Sequence, residues 1–196
     1  MNLPNKITIS RIILSILLLV MLLIPWYALG VEWPVYLVGN TNVDLKYIVA
    51  GVIFLIAAFS DFIDGYLARK NNQVTDYGKM MDAIADKLLV NGVLIILAYE
   101  RIIPVVLPVV IVTRDIIVDS CKMVSGSNGK VVPASILGKL KTIFMLSGIT
   151  LTFFYNLPFE LIGLPVADIF LSLALILSVV SGCQYYFNSK EFLKSK

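Results

Sequence analysis

The sequence predicts an all-α integral membrane protein with six transmembrane helices and a short N-terminal interfacial helix. Of the 196 residues, 59% are hydrophobic and the mean hydropathy is +0.90, whereas a soluble domain is usually about 45–50% apolar. Several stretches approach the roughly 20 apolar residues that a spanning helix needs. The length suits one membrane-embedded domain over residues 1–196.

Six apolar stretches are the predicted spans, near residues 12–29, 47–67, 80–99, 104–124, 136–155 and 161–187.

Before the first span, the segment 1–11 mixes apolar Leu3 and Ile7 with cationic Lys6 and Arg11. This mixture favours an interfacial helix on the membrane surface. A simple extension of the first span explains the same pattern equally well.

The placement of lysine and arginine predicts the orientation. Nearly all of those outside the predicted spans fall on one side of the membrane, and only Lys46 and Arg101 fall on the other. Because cytoplasmic loops carry the excess of Lys and Arg, we expect both termini on the cytoplasmic side. The acidic cluster described next is expected on that side too.

Four aspartates form two pairs on neighbouring predicted helices. Asp61 and Asp64 are three residues apart, and Asp82 and Asp86 are four apart, so each pair shares one helix face. A connector of about ten residues with Asn71-Asn72 predicts an antiparallel hairpin that brings the two faces together. Carboxylates that converge near a membrane repel one another unless cations or protons neutralise them.

The chain contains no histidine, so the candidate metal ligands are oxygen atoms, which favour Mg²⁺ or Mn²⁺. Such ions usually carry substrate phosphates, and they can clamp a diphosphate and stabilise the leaving oxygen. Glycines beside the acids leave room for a bulky substrate, and Arg69 supplies a fork of donors for phosphate. The sequence therefore predicts a metal-dependent enzyme acting on a diphosphate.

The pattern D-x-x-D-G-x-x-A-R-x8-G-x-x-x-D-x-x-x-D over residues 61–86 resembles the signature of the CDP-alcohol phosphatidyltransferases at every position. The resemblance implies transfer of a phosphatidyl group from a CDP-linked lipid to an alcohol, with release of CMP. It implies that Asp61, Asp64 and Asp82 bind metal, and that Asp86 is the general base and contacts a second ion. It also implies a homodimer. The residues that it assigns to the CDP-lipid site are Asn5, Thr8, Gly65, Arg69, Thr75 and Gly78.

The acceptor site is predicted from cations outside the motif. Arg114 lies inside the fourth predicted span, where an arginine marks a functional site by default. Lys139 and Lys141 open the fifth span, and together the three suit an acceptor that carries phosphate. The alternatives are a packing pair of Arg114 with Asp115 or Asp119, and lysines that serve topology alone.

Within the family, Pro-Asn-Lys-Ile-Thr-Ile-Ser-Arg near the start, Thr-Arg-Asp at 113–115 and Gly-Lys-Leu-Lys-Thr at 138–142 resemble the bacterial phosphatidylglycerophosphate synthases. This implies CDP-diacylglycerol as donor, glycerol 3-phosphate as acceptor and a place in the bacterial cytoplasmic membrane, in phospholipid biosynthesis. The expected partners are these two substrates, the bilayer and a second copy of the chain, with no nucleic acid.

Two alternatives remain open. Within the same family, the acceptor is inositol phosphate or a phosphatidylglycerol. In a different class, the acids line the path of a divalent-cation transporter, which predicts symmetrically placed broken helices. The sequence has no internal repeat to support the transporter. An intramembrane prenyltransferase also uses aspartates and Mg²⁺, but it lacks the D-G-x-x-A-R element.

Overall fold

The computed structural model describes residues 3–70, 75–127 and 135–193, and this part of the chain is mainly helical. Each of its α-helices is 18 residues or longer. The helices are α1 (Leu3–Leu23), α2 (Leu45–Lys70), α3 (Asp76–Tyr99), α4 (Val106–Ser127), α5 (Ile136–Phe153) and α6 (Val166–Leu193).

Within the described residues, four helices have the length and apolar composition needed to cross a membrane: α1, α2, α5 and α6. The other two, α3 and α4, match the positions of predicted spans but carry charged residues along their length. The prediction of a multi-pass helical membrane protein is therefore confirmed. The prediction of six spanning helices is not confirmed by length and composition.

The N-terminal segment is continuous with the first span. Helix α1 runs without interruption from Leu3 to Leu23, so a separate interfacial helix ending at residue 11 is not confirmed. The first span also ends at Leu23 rather than at residue 29, because Pro25 follows and Trp26–Leu29 form a 3-10 helix. Gly30, with a φ of 74°, closes that turn.

The last span starts later than predicted. Phe159–Ile162 form a 3-10 helix that ends at Gly163, whose φ is 68°. Pro165 then directly precedes α6, which begins at Val166 rather than at residue 161. The apolar composition of 161–165 extended the predicted span across a turn that glycine and proline create.

A short hairpin between α1 and α2 departs from the predicted all-α class. Strands β1 (Val35–Val38) and β2 (Thr41–Asp44) pair antiparallel, with Val38 opposite Thr41. The two-residue turn between them begins at Gly39, whose φ is 63°, as such turns require. The backbone N–H of Asp44 donates to the Tyr155 hydroxyl at 2.9 Å, which ties the hairpin to the end of α5.

The helices form two groups of three. Helix α1 packs against α2 and α3, α6 packs against α4 and α5, and α2–α5 and α3–α4 contacts join the groups. Phe54 and Phe153 meet at the α2–α5 contact, with ring centroids 5.8 Å apart. Gly148 lets α5 approach α6 closely, since a Cβ there would lie 3.2 Å from the backbone nitrogen of Leu171.

Candidate active site

Three carboxylates converge where the end of α2 meets the start of α3. Asp61, Asp64 and Asp82 each offer an oxygen, and these oxygens lie within 4.8 Å of one another. Asp64 is buried, at 2% exposure, whereas Asp61 is exposed. The predicted meeting of the two aspartate faces is confirmed for these three residues, which we call the carboxylate triad.

The triad fits a hard divalent cation. All its donors are carboxylate oxygens, the ligands that Mg²⁺ and Mn²⁺ prefer. Oδ1 of Asp64 is buried and has no hydrogen-bond partner among the described residues. A buried carboxylate oxygen is costly to leave without a partner, and a bound ion would satisfy it.

Asp86 lies one helical turn beyond Asp82 on α3 and does not belong to the carboxylate group found within the described residues. It lines a separate cavity of about 300 Å³ together with Arg114, Lys139 and Lys141. We call this space the cationic cavity. The structure therefore brings the predicted base together with all three predicted acceptor residues.

Arg11 is a site residue that sequence reasoning missed. Its side chain is 1% exposed and forms an ion pair with Asp61, while its Nη2 lies 3.0 Å from Oδ1 of Asp82. The spacing of Asn5, Thr8 and Arg11 at three-residue intervals places all three on one face of α1. That polar stripe on an apolar helix was a signal for the site. The sequence interpretation gave Arg11 an interfacial and topological role and the last position of the Pro-Asn-Lys-Ile-Thr-Ile-Ser-Arg segment, but no contact with the aspartates.

The predicted donor residues on α1 and α3 meet beside the triad. The Thr8 hydroxyl, a single donor, lies within hydrogen-bond distance of two carboxylates, 3.1 Å from Oδ2 of Asp64 and 2.9 Å from Oδ1 of Asp82. A Cβ on Gly78 would lie 2.9 Å from Oδ1 of Asn5. A side chain at this position would therefore displace the Asn5 amide from its place beside α3.

The remaining donor predictions have different outcomes. Thr75 is the N-cap of α3, and its hydroxyl accepts a hydrogen bond from the Gly78 N–H at 3.0 Å. It thus has a structural role in addition to any contact with substrate. Gly65 is half-buried and directly follows Asp64. The side chain of Arg69 lies outside the described residues.

Asp115 organises the cations of the cationic cavity. Its Oδ1 accepts from Arg114 Nη1 at 2.9 Å and from Lys141 Nζ at 3.1 Å. Lys141 is buried, whereas Lys139 is exposed at the cavity wall. The cavity lining as a whole carries five cations and three acids, a formal net charge of +2, which suits an anionic ligand; the cations are Lys87, Arg114, Lys122, Lys139 and Lys141, and the acids are Asp86, Asp115 and Asp119.

The structure also decides between the two packing pairs considered for Arg114. Arg114 pairs with its neighbour Asp115, whereas Asp119 forms an ion pair with Lys87 that links α4 to α3. The ion pair with Asp115 does not remove Arg114 from the cationic cavity, because Arg114 still lines the cavity wall while it is bonded to Asp115.

Helix α6 holds Arg114 in place, which sequence reasoning also missed. Arg114 Nη2 donates to the Ser181 hydroxyl at 2.7 Å, and the guanidinium lies 5.8 Å from the Tyr185 ring centroid. A Cβ on Gly182 would lie 2.9 Å from Cγ of Arg114. The adjacent Ser181 and Gly182, which follow a long apolar stretch of α6, were the available signal.

Comparison with known proteins places the chain in a family. The sequence model described as CDP-alcohol phosphatidyltransferase matches residues 1–180. A CDP-diacylglycerol–glycerol-3-phosphate 3-phosphatidyltransferase of Bacillus subtilis (strain 168) is 39% identical over 194 residues, covering 99% of this chain and 98% of the relative. An enzyme of the same name from Rickettsia bellii (strain RML369-C) is 31% identical, covering 97% of each chain.

A solved structure shares the fold. The apo crystal structure of Mycobacterium tuberculosis phosphatidylinositol phosphate synthase superposes with a TM-score of 0.62 at 16% identity, covering 98% of this chain and 93% of the other. At that identity the likeness concerns the fold alone. The match of the family model along most of the chain, with close relatives over its whole length, shows that this protein is a member of the CDP-alcohol phosphatidyltransferase family.

Proposed function

We propose that this chain transfers the phosphatidyl group of CDP-diacylglycerol to glycerol 3-phosphate, giving phosphatidylglycerophosphate and CMP in phospholipid biosynthesis. The observation that carries the proposal is the cationic cavity, which unites Asp86 with Arg114, Lys139 and Lys141 beside the carboxylate triad. The names of the full-length relatives support the same pair of substrates.

The triad forms the donor half of the site. Asp61, Asp64 and Asp82 would hold the metal, and Asp86 would contact a second ion. Two bound Mg²⁺ or Mn²⁺ ions would supply neutralisation of the diphosphate charge. The cytidine and diphosphate would lie along the neighbouring donor residues, which are Asn5, Thr8, Gly65, Arg69, Thr75 and Gly78.

The cationic cavity forms the acceptor half. Arg114, Lys139 and Lys141 would bind the phosphate of glycerol 3-phosphate, and their positive charge matches that dianion. The Asp86 carboxylate accepts the proton of the attacking 1-hydroxyl. The acceptor oxygen forms a bond to the lipid-side phosphorus, the bond from that phosphorus to the CMP oxygen breaks, and CMP leaves.

We also propose the membrane arrangement. The 196 residues form one domain with six spans, including the charged helices α3 and α4, and the protein works as a homodimer in the bacterial cytoplasmic membrane. The excess of Lys and Arg on the active-site side supports a cytoplasmic active site and cytoplasmic termini. An amphipathic role for residues 1–11 at the membrane surface remains compatible with a continuous α1.

The test is a CMP-release assay. The purified protein is incubated with CDP-diacylglycerol, Mg²⁺ and one acceptor at a time: glycerol 3-phosphate, inositol phosphate or phosphatidylglycerol. We expect release with glycerol 3-phosphate and its loss in EDTA. Release with another acceptor alone would overturn the acceptor assignment. Mn²⁺ uptake into vesicles without CMP release from any acceptor would favour the transporter.

The role of Asp86 is tested separately. We expect Asp86→Asn to bind CDP-diacylglycerol normally and to lose turnover by about 10²–10⁴-fold, the usual contribution of a general base. Asp168→Asn is the matched control, because Asp168 is an exposed acid in the first turn of α6 and does not line the cationic cavity. Turnover that survives in Asp86→Asn would show that another group takes the proton.

A further inference from the structure

Arg11 lies at the centre of the carboxylate triad. Its Nη1 forms an ion pair with Asp61 and lies 3.9 Å from Oδ2 of Asp64, while its Nη2 lies 3.0 Å from Oδ1 of Asp82. The side chain is 1% exposed. A cation this deeply buried requires acidic partners, and three acids this close together require a cation.

The contacts of Arg11 fall on the same three carboxylates that would hold a metal. The guanidinium faces Oδ1 of Asp61, Oδ1 of Asp82 and Oδ2 of Asp64, whereas Oδ1 of Asp64 has no partner among the described residues. Nε of Arg11 is buried without a hydrogen-bond partner among the described residues. The guanidinium thus neutralises the acids but leaves one of its own donors unsatisfied, so the arrangement is not optimal for arginine.

We propose that Arg11 is an internal counter-cation of the triad, which holds Asp61, Asp64 and Asp82 together before a divalent ion binds and competes with that ion for their oxygens. The inference rests on the proposed metal role of the three aspartates. It assigns Arg11 a function that positive-inside topology does not explain, since a topological charge has no reason to be buried among acids.

Two opposite effects follow from this competition. Removing the Arg11 charge leaves three close carboxylates without a built-in cation, so the metal-free protein loses stability. The same removal frees the oxygens and eliminates the repulsion between guanidinium and metal, so the affinity for the metal rises. An arginine that merely helped a metal to bind, or merely supported the fold, would not produce this combination.

The experiment measures metal binding and stability without any substrate. Binding of Mn²⁺ is followed by electron paramagnetic resonance of the free ion, and thermal unfolding is recorded in EDTA and in Mn²⁺. The variants are Arg11→Met, which keeps an unbranched stem but no charge, and Arg11→Lys, which keeps the charge without the fork. The matched control is Lys6→Met, the same change in charge at an exposed position of α1.

We expect Arg11→Met to bind Mn²⁺ at least about tenfold more tightly than the wild type. We also expect it to unfold at a lower temperature in EDTA and to gain more stability from Mn²⁺. Lys6→Met should match the wild type. Equal or weaker binding by Arg11→Met would overturn the inference while leaving the metal site intact, whereas no binding by the wild type would overturn the metal site as well.

Arg11→Lys provides the test if Arg11→Met does not fold. One ammonium cannot bridge three carboxylates as a guanidinium does, so we expect Mn²⁺ affinity between that of the wild type and that of an uncharged variant. Affinity equal to or below that of the wild type in Arg11→Lys would contradict competition by the guanidinium.

Discussion

Replacing Gly182 by alanine tests whether the placement of Arg114 controls use of the acceptor. The new Cβ would lie 2.9 Å from Cγ of Arg114. Carbon atoms prefer separations of about 3.5–4.0 Å, so the arginine stem must retreat by at least about 0.6 Å. The contacts that fix its head, 2.7 Å to Ser181 and 2.9 Å to Asp115, leave little room for such a shift.

The size of the effect follows from those two hydrogen bonds. A shift of this size stretches them to or beyond the usual limit of about 3.2 Å. A hydrogen bond to a charged group contributes about 1.5–3 kcal/mol. If Arg114 binds the acceptor phosphate, loss of one such bond lowers kcat/KM for glycerol 3-phosphate by roughly 10- to 150-fold. We expect the KM for CDP-diacylglycerol to stay unchanged.

Gly126→Ala is the matched control for this substitution. Gly126 also lies in a helix, α4, and a Cβ there would meet no atom of another described segment within 4 Å. Both variants gain up to about 1 kcal/mol of helix propensity, but only Gly182→Ala displaces Arg114, so a loss of kcat/KM for the acceptor that is confined to Gly182→Ala reports that displacement. The assay is initial-rate CMP release at varied glycerol 3-phosphate. Equal kcat/KM in the two variants would refute the assignment of Arg114 to the acceptor.

Three further substitutions test the packing and the polar contacts. Gly148→Ala should destabilise the protein by about 1–3 kcal/mol in thermal unfolding, because the backbone of Leu171 cannot yield easily; stability equal to that of the wild type would contradict this close contact. Thr8→Val should lower the free energy of unfolding in EDTA by about 1–3 kcal/mol, because it removes the one hydroxyl donor that Asp64 and Asp82 share, and Thr8→Ser should not. A double-mutant cycle on Lys87 and Asp119 should give a coupling of only about 0.2–1 kcal/mol, because both side chains are half-exposed; a larger value would show that this pair is effectively buried.

The parts predicted best from sequence depend on local spacing. The three- and four-residue intervals among Asp61, Asp64 and Asp82 set a helix face, and a short connector then brings the two faces together. The presence of the helices was predicted from long apolar runs, which are the strongest sequence signal in a membrane protein. The ends of the helices were harder to predict. At the end of α1 (Leu23) and the start of α6 (Val166), apolar residues continue into the adjoining 3-10 turns.

The parts that sequence did not reveal depend on contacts between distant segments. Arg11 is separated from Asp61 by 50 positions, and Arg114 from Ser181 by 67. A local sequence pattern does not show which helices pack side by side. The acidic partner of a buried cation therefore cannot be identified before the fold is known. The hairpin at Val35–Asp44 was missed for a different reason. Its strands of four residues are too short for alternation to stand out in an apolar chain.

The division of the helices into two groups has a consequence for how such enzymes diversify. The triad and its supporting residues belong to α1–α3, while Arg114, Lys141 and the α6 residues that hold Arg114 belong to α4–α6. Under the proposed function, the first group of helices would bind the nucleotide-linked lipid, and the second group, together with Asp86 of α3, would bind the alcohol. Exchanging the second half between relatives should change the alcohol used and leave recognition of the shared donor intact.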